Sequence, residues 1–347
     1  MKINTKQFFM SSSPHIHTDD DTRAIMSDVI IALMFPLILA IYFFGFRALV
    51  LTIISVASSV VFEALFCKLT KKAMTIRDLS AVVTGLLLVL CLPVSVPLWM
   101  PVVGAFFAIV VVKQMYGGLG KNFLNPALSA HAFLFAWTSL ISLLTKPTPG
   151  KNALSLFGNI TRENVSPDVI ASVTPLAKMK LGNLPTTEIG EVIRLRDVAM
   201  GNIAGAMGEI SAIVIIAALI YLLIRRVITL HIPAAYVLTV AFLTFVFPHG
   251  SNPWLWSLYS VLSGGLLFGA VFMATDYTTS PATPRGRIYY GIGCGVLTVL
   301  LRYFGAHNEG VTFAILMMNL LTFFIDRVCR PRRFGQKKEK VGAEDEE

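Results

Sequence analysis

The sequence predicts an all-α polytopic membrane protein of about ten transmembrane helices, set as two inverted five-helix repeats with a long external loop between them. Three observations predict it. Hydrophobic residues make up 55% of the 347 and charged residues 14%, whereas a water-soluble domain carries about 25% charge, so the chain has too few charges to coat a water-facing surface. Apolar runs of spanning length recur from one end to the other. A polar stretch over 146–205 splits these runs five and five, and an odd number of spans per half gives the halves opposite orientations.

The elements follow in order. Residues 1–23 are polar and hold three consecutive acids, Asp19 to Asp21. They lack the basic start, short apolar core and small-residue cleavage site of a signal peptide, so the first apolar run is expected to stay in the membrane. Spans are expected at 24–44, 47–67, 79–93, 98–115 and 125–145, forming a first repeat over 24–145. The shortest, 79–93, ends at Pro93. The loop 146–205 comes next. Spans at 206–225, 231–248, 254–274, 287–304 and 309–327 then form a second repeat over 206–327, followed by a charged tail, 328–347. A faint internal echo joins "TGLLLVLCLP" (84–93) to "SGGLLFGAVF" (263–272): a small residue and glycine, then leucines, then a Gly/Pro-rich break.

An even number of spans places both termini on one side. Of the 29 lysines and arginines, twenty, including Lys113 and Lys121, fall on segments sharing that side. The opposite short loops hold only Arg47 and Arg302, and the rest lie in 146–205. The positive-inside rule therefore puts the termini in the cytoplasm and the long loop outside. This placement also accounts for the net charge of +9 without nucleic acid as a partner. The four cysteines, Cys67, Cys91, Cys294 and Cys329, form no CxxC pair and lie in or beside apolar runs. They read as small buried residues rather than iron–sulfur ligands.

Charges inside a bilayer are costly and usually functional. The acids singled out on this ground are Glu63, Glu209, Asp276, Glu309 and Asp326. Glu63 is expected to snorkel or to pair with Lys68. Asp276 and Asp326 sit at the expected cytoplasmic border, either as helix-end acids paired with Arg285 or Arg327, or as a cation entry site or cofactor contact. The stretch "KQMYGGLGKNFLNPALSAH" (113–131) places Asn122 and Asn125 in glycine-rich backbone at the start of a span. Unwound backbone at membrane depth is tolerated only against protein or a cavity. Asparagine, both donor and acceptor, suits a flat heteroaromatic ring or an ion's oxygen shell. Asn125 followed by Pro126 also reads as a helix start. The six histidines are scattered, and only His15 and His17 are close enough to suggest a metal pair, on a terminal tail. No Walker A, GxGxxG, HExxH or GxSxG occurs, which removes support for nucleotide hydrolysis and for protease or lipase chemistry. Thr174, in "IASVTPLAK", reads on its own as a Thr-Pro turn.

Taken together, "SPHIHTDDDTRAIMSDVIIALMFP", "YGGLGKNFLNPAL", "SVTPLA", "GAVFMATDYTTSP" and "EGVTFAILMMNLLTFFID" occur in an order that resembles the family of Rnf-complex D subunits and Na+-translocating NADH:quinone reductase B subunits. The opening and the short N-terminus favour the Rnf branch. The resemblance implies FMN joined through its phosphate to a threonine by a dedicated flavin transferase. The family pattern, Asp-x-x-Ser/Thr-Gly-Ala-Thr with Pro-Leu after it, falls here on Asp168, Ala171, Ser172, Val173 and Thr174, then Pro175 and Leu176. Asp168, Thr174 and the Pro-Leu match, while Ala171, Ser172 and Val173 depart from it. The resemblance further implies a second, non-covalent flavin (riboflavin) lined by Asn122 and Asn125, and cation-uptake acids at Asp276 and Asp326. The implied role is a flavin-carrying subunit of an ion-translocating ferredoxin:NAD+ oxidoreductase in a bacterial or archaeal plasma membrane. It relays electrons between flavins, including those of a second flavin-bearing subunit, and couples this to Na+ or H+ transport. The chain has no NAD or ferredoxin motif, so other subunits must supply those sites. The rival expectation is a flavin-free channel or transporter of the same architecture.

Overall fold

In hydrocarbon every backbone N–H and C=O must be satisfied within the protein, and runs of leucine, isoleucine, valine and phenylalanine meet that demand as helices. The computed structural model describes residues 21–72, 74–136, 195–201, 205–209, 211–249, 252–305 and 310–330, and among these no strand occurs. The first half holds α1 (Thr22–Phe44), α2 (Phe46–Leu69), α3 (Ser80–Cys91), α4 (Met100–Phe106, continued as a π-helical stretch over Phe107–Gln114) and α5 (Pro126–Ala136). The second holds a short α6 (Leu195–Met200), α7 (Ala212–Ile224), α8 (His231–Val246), α9 (Pro253–Leu262), α10 (Leu266–Phe268, continued as a π-helical stretch over Gly269–Met273), α11 (Pro284–Phe304) and α12 (Val311–Val328).

Among the described residues α1, α2 and α12 are long and apolar enough to cross a membrane unaided, and α9 with α10 makes a fourth only as a pair bent by 57°. The span expected over 254–274 is therefore broken at residues 263–265. Hydropathy runs through the break, where the backbone turns left-handed at Gly264 and Gly265 (φ 70° and 67°), and a distant side chain holds it open. Arg302 of α11, 5% exposed, donates from Nη1 to the Ser260 carbonyl (2.6 Å) and from Nη2 to those of Ser263 and Gly264 (both 3.2 Å). These are the carbonyls that a helix end leaves open. Arg47 does similar work in the first half, donating to the carbonyls of Val94 (2.9 Å) and Val96 (3.0 Å). Both arginines counted above as short-loop charges thus hold backbone.

The region expected to begin a span at 206 is instead a non-helical turn. It returns to the end of α3, where the N–H groups of Met207 and Gly208 donate to the carbonyls of Leu92 (3.2 Å) and Leu90 (2.6 Å). The loop expected over 146–205 contains α6 in its described part, and Val198 there packs with Trp256 and Tyr259. Helix pairs close on small residues, the usual device where lipid offers no hydrophobic contrast. A Cβ at Gly295 of α11 would lie 2.6 Å from the Thr239 Cβ of α8 and 3.2 Å from the Tyr236 carbonyl, and Gly291 one turn earlier is equally close to Ala235. The Tyr236 hydroxyl pairs with Thr298 at 2.6 Å across the same seam.

Candidate functional site

The chemistry gathers where α2, α3, the π-helical stretch after α4, and the start of α5 meet the end of α10. Neighbouring residues of an α-helix do not face one partner. The wider π-helical turn lets Lys113 and Gln114 both reach Glu63 of α2. Glu63 is fully buried and accepts from Lys113 Nζ (2.9 and 3.1 Å), Gln114 Nε2 (2.9 Å) and Thr75 Oγ1 (2.6 Å). Lys113, 2% exposed, also donates to Ser80 Oγ at 2.6 Å. Ser80 in turn donates from Oγ (2.5 Å) and from its backbone N–H (2.9 Å) to the Asp78 carboxylate. Glu63 therefore does not snorkel or pair with Lys68. Lys113 is an internal charge, not one of the loop charges among which the sequence reading places it.

Lys113 and Ser80 also line a cavity of about 80 Å³. Its other polar residues are Thr84, Asn122, Asn125, Thr275, Asp276, Tyr277 and Thr278, and its apolar walls include Leu87 of α3 and Phe272 of the stretch after α10. The approach to it, residues 115–124, needs left-handed backbone at Gly117, Gly118 and Gly120 (φ 114°, 93° and 89°), which explains the "YGGLGKN" composition. Asn125 caps α5, its Oδ1 accepting from the N–H groups of Ala127 (3.0 Å) and Leu128 (3.3 Å), as the Asn-Pro pair predicts. Its Nδ2 reaches the Met273 carbonyl at 3.4 Å and so ties the halves together. Asn122 donates to Thr278 Oγ1 (3.0 Å) and to the Leu124 carbonyl (3.1 Å). Its Oδ1 is buried and accepts no hydrogen bond among the described residues. Thr278 and Thr279 donate to Asp276 Oδ2 at 3.1 and 3.2 Å. Burial raises the Asp276 carboxyl above its ordinary pKa, opposed by those hydroxyls and by backbone N–H groups.

Three of the expected residues, Asn122, Asn125 and Asp276, thus share one cavity. Asp326 does not line it. Its Oδ1 accepts the Ala282 N–H at 3.1 Å, clamping the loop after Asp276 from α12, beside a Thr322 to Thr279 carbonyl bond of 2.9 Å. Among the described residues neither acid meets the guanidinium of Arg285 or Arg327. Thr174, Asp168, Ser172 and Glu309 lie outside the described residues, as do His15 and His17. Sequence reasoning passed over Lys113, Ser80 and Asp78, although a lysine inside "AIVVVKQM" was a legible signal. It also passed over Asp28 in α1, which is held by Arg225 (3.1 Å) and the Tyr221 hydroxyl (3.0 Å). A smaller cavity of about 30 Å³ lies beyond Cys91 and Met273, lined by His131, Glu209 and Thr312.

The model of the NQR2, RnfD, RnfE family matches residues 9–335. The chain belongs to the NQR2, RnfD, RnfE family. Members of this family align with it almost end to end. The D subunit of the Na+-translocating ferredoxin:NAD+ oxidoreductase complex of Acetobacterium woodii is 42% identical over 98% of this chain and 99% of its own length. The D subunit of the proton-translocating ferredoxin:NAD+ oxidoreductase complex of Clostridium ljungdahlii is 34% identical over 97% and 99%. The D subunit of the ion-translocating oxidoreductase complex of Aliivibrio salmonicida is 32% identical over 95% and 99%. Family membership and the apolar helices together make the chain a multi-pass membrane protein.

Proposed function

We propose that the chain is the D subunit of an ion-translocating ferredoxin:NAD+ oxidoreductase complex, with a coupling role and not a complete enzyme by itself. Its end-to-end relatedness to subunits of that name supports the role. In this reading FMN is joined to Thr174 by a flavin transferase, with Asp168 and Ser172 in the recognised segment, and the 146–205 loop holds it outside. The ten spans form two inverted repeats with cytoplasmic termini. The paired arginine-held breaks and the π-helical stretches at Phe107–Gln114 and Gly269–Met273 support the repeat.

The cavity is read as the site of the second, non-covalent flavin. The supporting observation is Asn122 Oδ1, an acceptor 4% exposed with no donor of its own among the described residues. A buried carbonyl oxygen left so costs about 1–3 kcal/mol, and a ring N–H would satisfy it. Mostly apolar walls with a few convergent polar groups suit a planar ring, and at about 80 Å³ the walls must part to admit it. The flavin would supply reversible electron storage. The chain's residues orient it at Asn122, exclude water with Leu87 and Phe272, and hold Asp276 at the border where a Na+ or H+ would enter.

A cofactor inventory of the purified complex, assigned chain by chain, tests the reading. In-gel fluorescence after SDS denaturation is expected from this chain when the transferase is co-expressed, and Thr174→Ala should abolish it. Asn122→Leu is expected to lose the extractable flavin and keep the covalent one. Fluorescence that persists in Thr174→Ala moves the attachment elsewhere, and unchanged extractable flavin in Asn122→Leu removes that flavin from the cavity.

A further inference from the structure

We infer that Asp78, Ser80 and Lys113 form a proton relay from the surface of the molecule to the cavity, with Glu63 as the positioning residue that reloads it. The inference rests on the reading of the cavity as a flavin site. Asp78 is half-buried on a single-turn helix, Ile76–Asp78, and does not line the cavity. Ser80 is 4% exposed and Lys113 2%, and both line it. Asp78 Oδ1, Ser80 Oγ and Lys113 Nζ are joined by contacts of 2.5 and 2.6 Å, so no water is needed between them. The ammonium can give a proton, the hydroxyl can both give and receive one, and the carboxylate can receive one, so the order of the groups suits inward transfer.

The steps balance. Reduction of the bound ring, by electrons supplied through the complex, consumes a proton. With a ring bound in the cavity, Lys113 would supply it by breaking one Nζ–H bond, which would leave a neutral amine. The Asp78 carboxylate first takes a proton from water, and the Ser80 hydroxyl, which in the resting arrangement points at Asp78, then turns and passes its own proton to Nζ while taking that one from Asp78. Asp78 is left as the carboxylate it was at rest. The net change is one proton moved from water to the ring, with no heavy-atom bond made or broken. Glu63 drives the reloading. A neutral Lys113 leaves a fully buried carboxylate without its ion-pair partner, which is the costly state, so the ammonium is restored promptly. This also explains why a lysine beside the cavity is fastened to a buried glutamate rather than left to face the ligand alone.

Asp78→Asn is the discriminating variant. An amide oxygen still accepts from the Ser80 N–H and Oγ–H, so these contacts at the start of α3 survive, while the proton-accepting carboxylate is gone. In the holo complex the flavin content should stay normal. Reduction of the cavity flavin, followed by its absorbance, should slow at least about tenfold, below the contribution of about a hundredfold or more from a positioned acid–base group. The solvent deuterium isotope effect on that step should rise, and Asp78→Glu should recover most of the rate. A transient carboxylic C=O band in the time-resolved infrared difference spectrum during reduction, shifted by 13C-aspartate labelling, should vanish in Asp78→Asn. Ser80→Ala should slow the same step and Ser80→Thr restore it. Normal kinetics and an unchanged band in Asp78→Asn, with the flavin present, overturn the relay and leave the cavity reading intact. Absence of the flavin from wild-type protein overturns both.

Discussion

Replacing Lys113 with methionine removes one half of a charge pair that has almost no access to solvent. Glu63 is 0% exposed and Lys113 2%, with 2.9 Å between Nζ and Oε1. In Lys113→Met the carboxylate keeps two donors, Gln114 Nε2 and Thr75 Oγ1, both on Oε1. Oε2 loses the Lys113 contact of 3.1 Å. Leaving a buried charge unpaired in this way costs about 3–5 kcal/mol. Glu63→Leu should cost a similar amount, since it strands the ammonium with Ser80 alone. The double variant, Glu63→Leu with Lys113→Met, replaces both charges by apolar groups and should be near neutral, because burying a pair is itself expensive. The cycle therefore predicts a coupling of about 6 kcal/mol or more, the sum of the two single losses, well above the roughly 0.5 kcal/mol scatter of independent sites. Unfolding of the purified chain in mixed detergent micelles, followed by helix content, measures all four proteins. Single variants that cost less than about 1 kcal/mol, the worth of an exposed pair, would refute the reasoning. So would a double variant as unstable as the sum of the singles.

Two further outcomes follow from the same geometry. Arg302→Met releases the three carbonyls at the α9–α10 break and should destabilise by about 3 kcal/mol or more, since hydrogen bonds to charged groups contribute about 1.5–3 kcal/mol each. Arg302→Lys should recover only part, lacking the planar fork, and a thermal unfolding series distinguishes the three proteins. Asp276→Asn should weaken ion-dependent turnover more than flavin content, because that carboxyl faces the cavity. Asp326→Asn should change turnover little, because an amide oxygen accepts the Ala282 N–H equally well. Equal losses of ion dependence in both would place Asp326 on the ion's route after all.

Hydropathy alone located the long helices closely. The spans expected at 24–44, 47–67 and 309–327 correspond to Thr22–Phe44, Phe46–Leu69 and Val311–Val328. The Asn125-Pro126 start and the glycine loop before it were also legible, since capping and left-handed backbone are properties of a few adjacent residues. Asn122, Asn125 and Asp276 could be named as candidates from residue type and depth, but not as neighbours. Lys113 was read as a loop charge because it follows an apolar run, and its partner Glu63 is 50 positions away.

The sequence by itself determined the class of the protein, a helical membrane chain, and, through its motifs, the family. Burial of apolar surface in lipid depends on composition and run length, which need no knowledge of neighbours. Only the tertiary structure decided where those runs stop and what their few charges do. The break at residues 263–265 turns on two glycines, and it can stand in lipid because Arg302 brings donors to the carbonyls it frees. Lys113 becomes an internal, cavity-facing charge because a π-helical turn aims it at a carboxylate on another helix. Inside a membrane each polar group must find a partner within the protein, and which partner it finds is settled by packing between segments far apart in the chain.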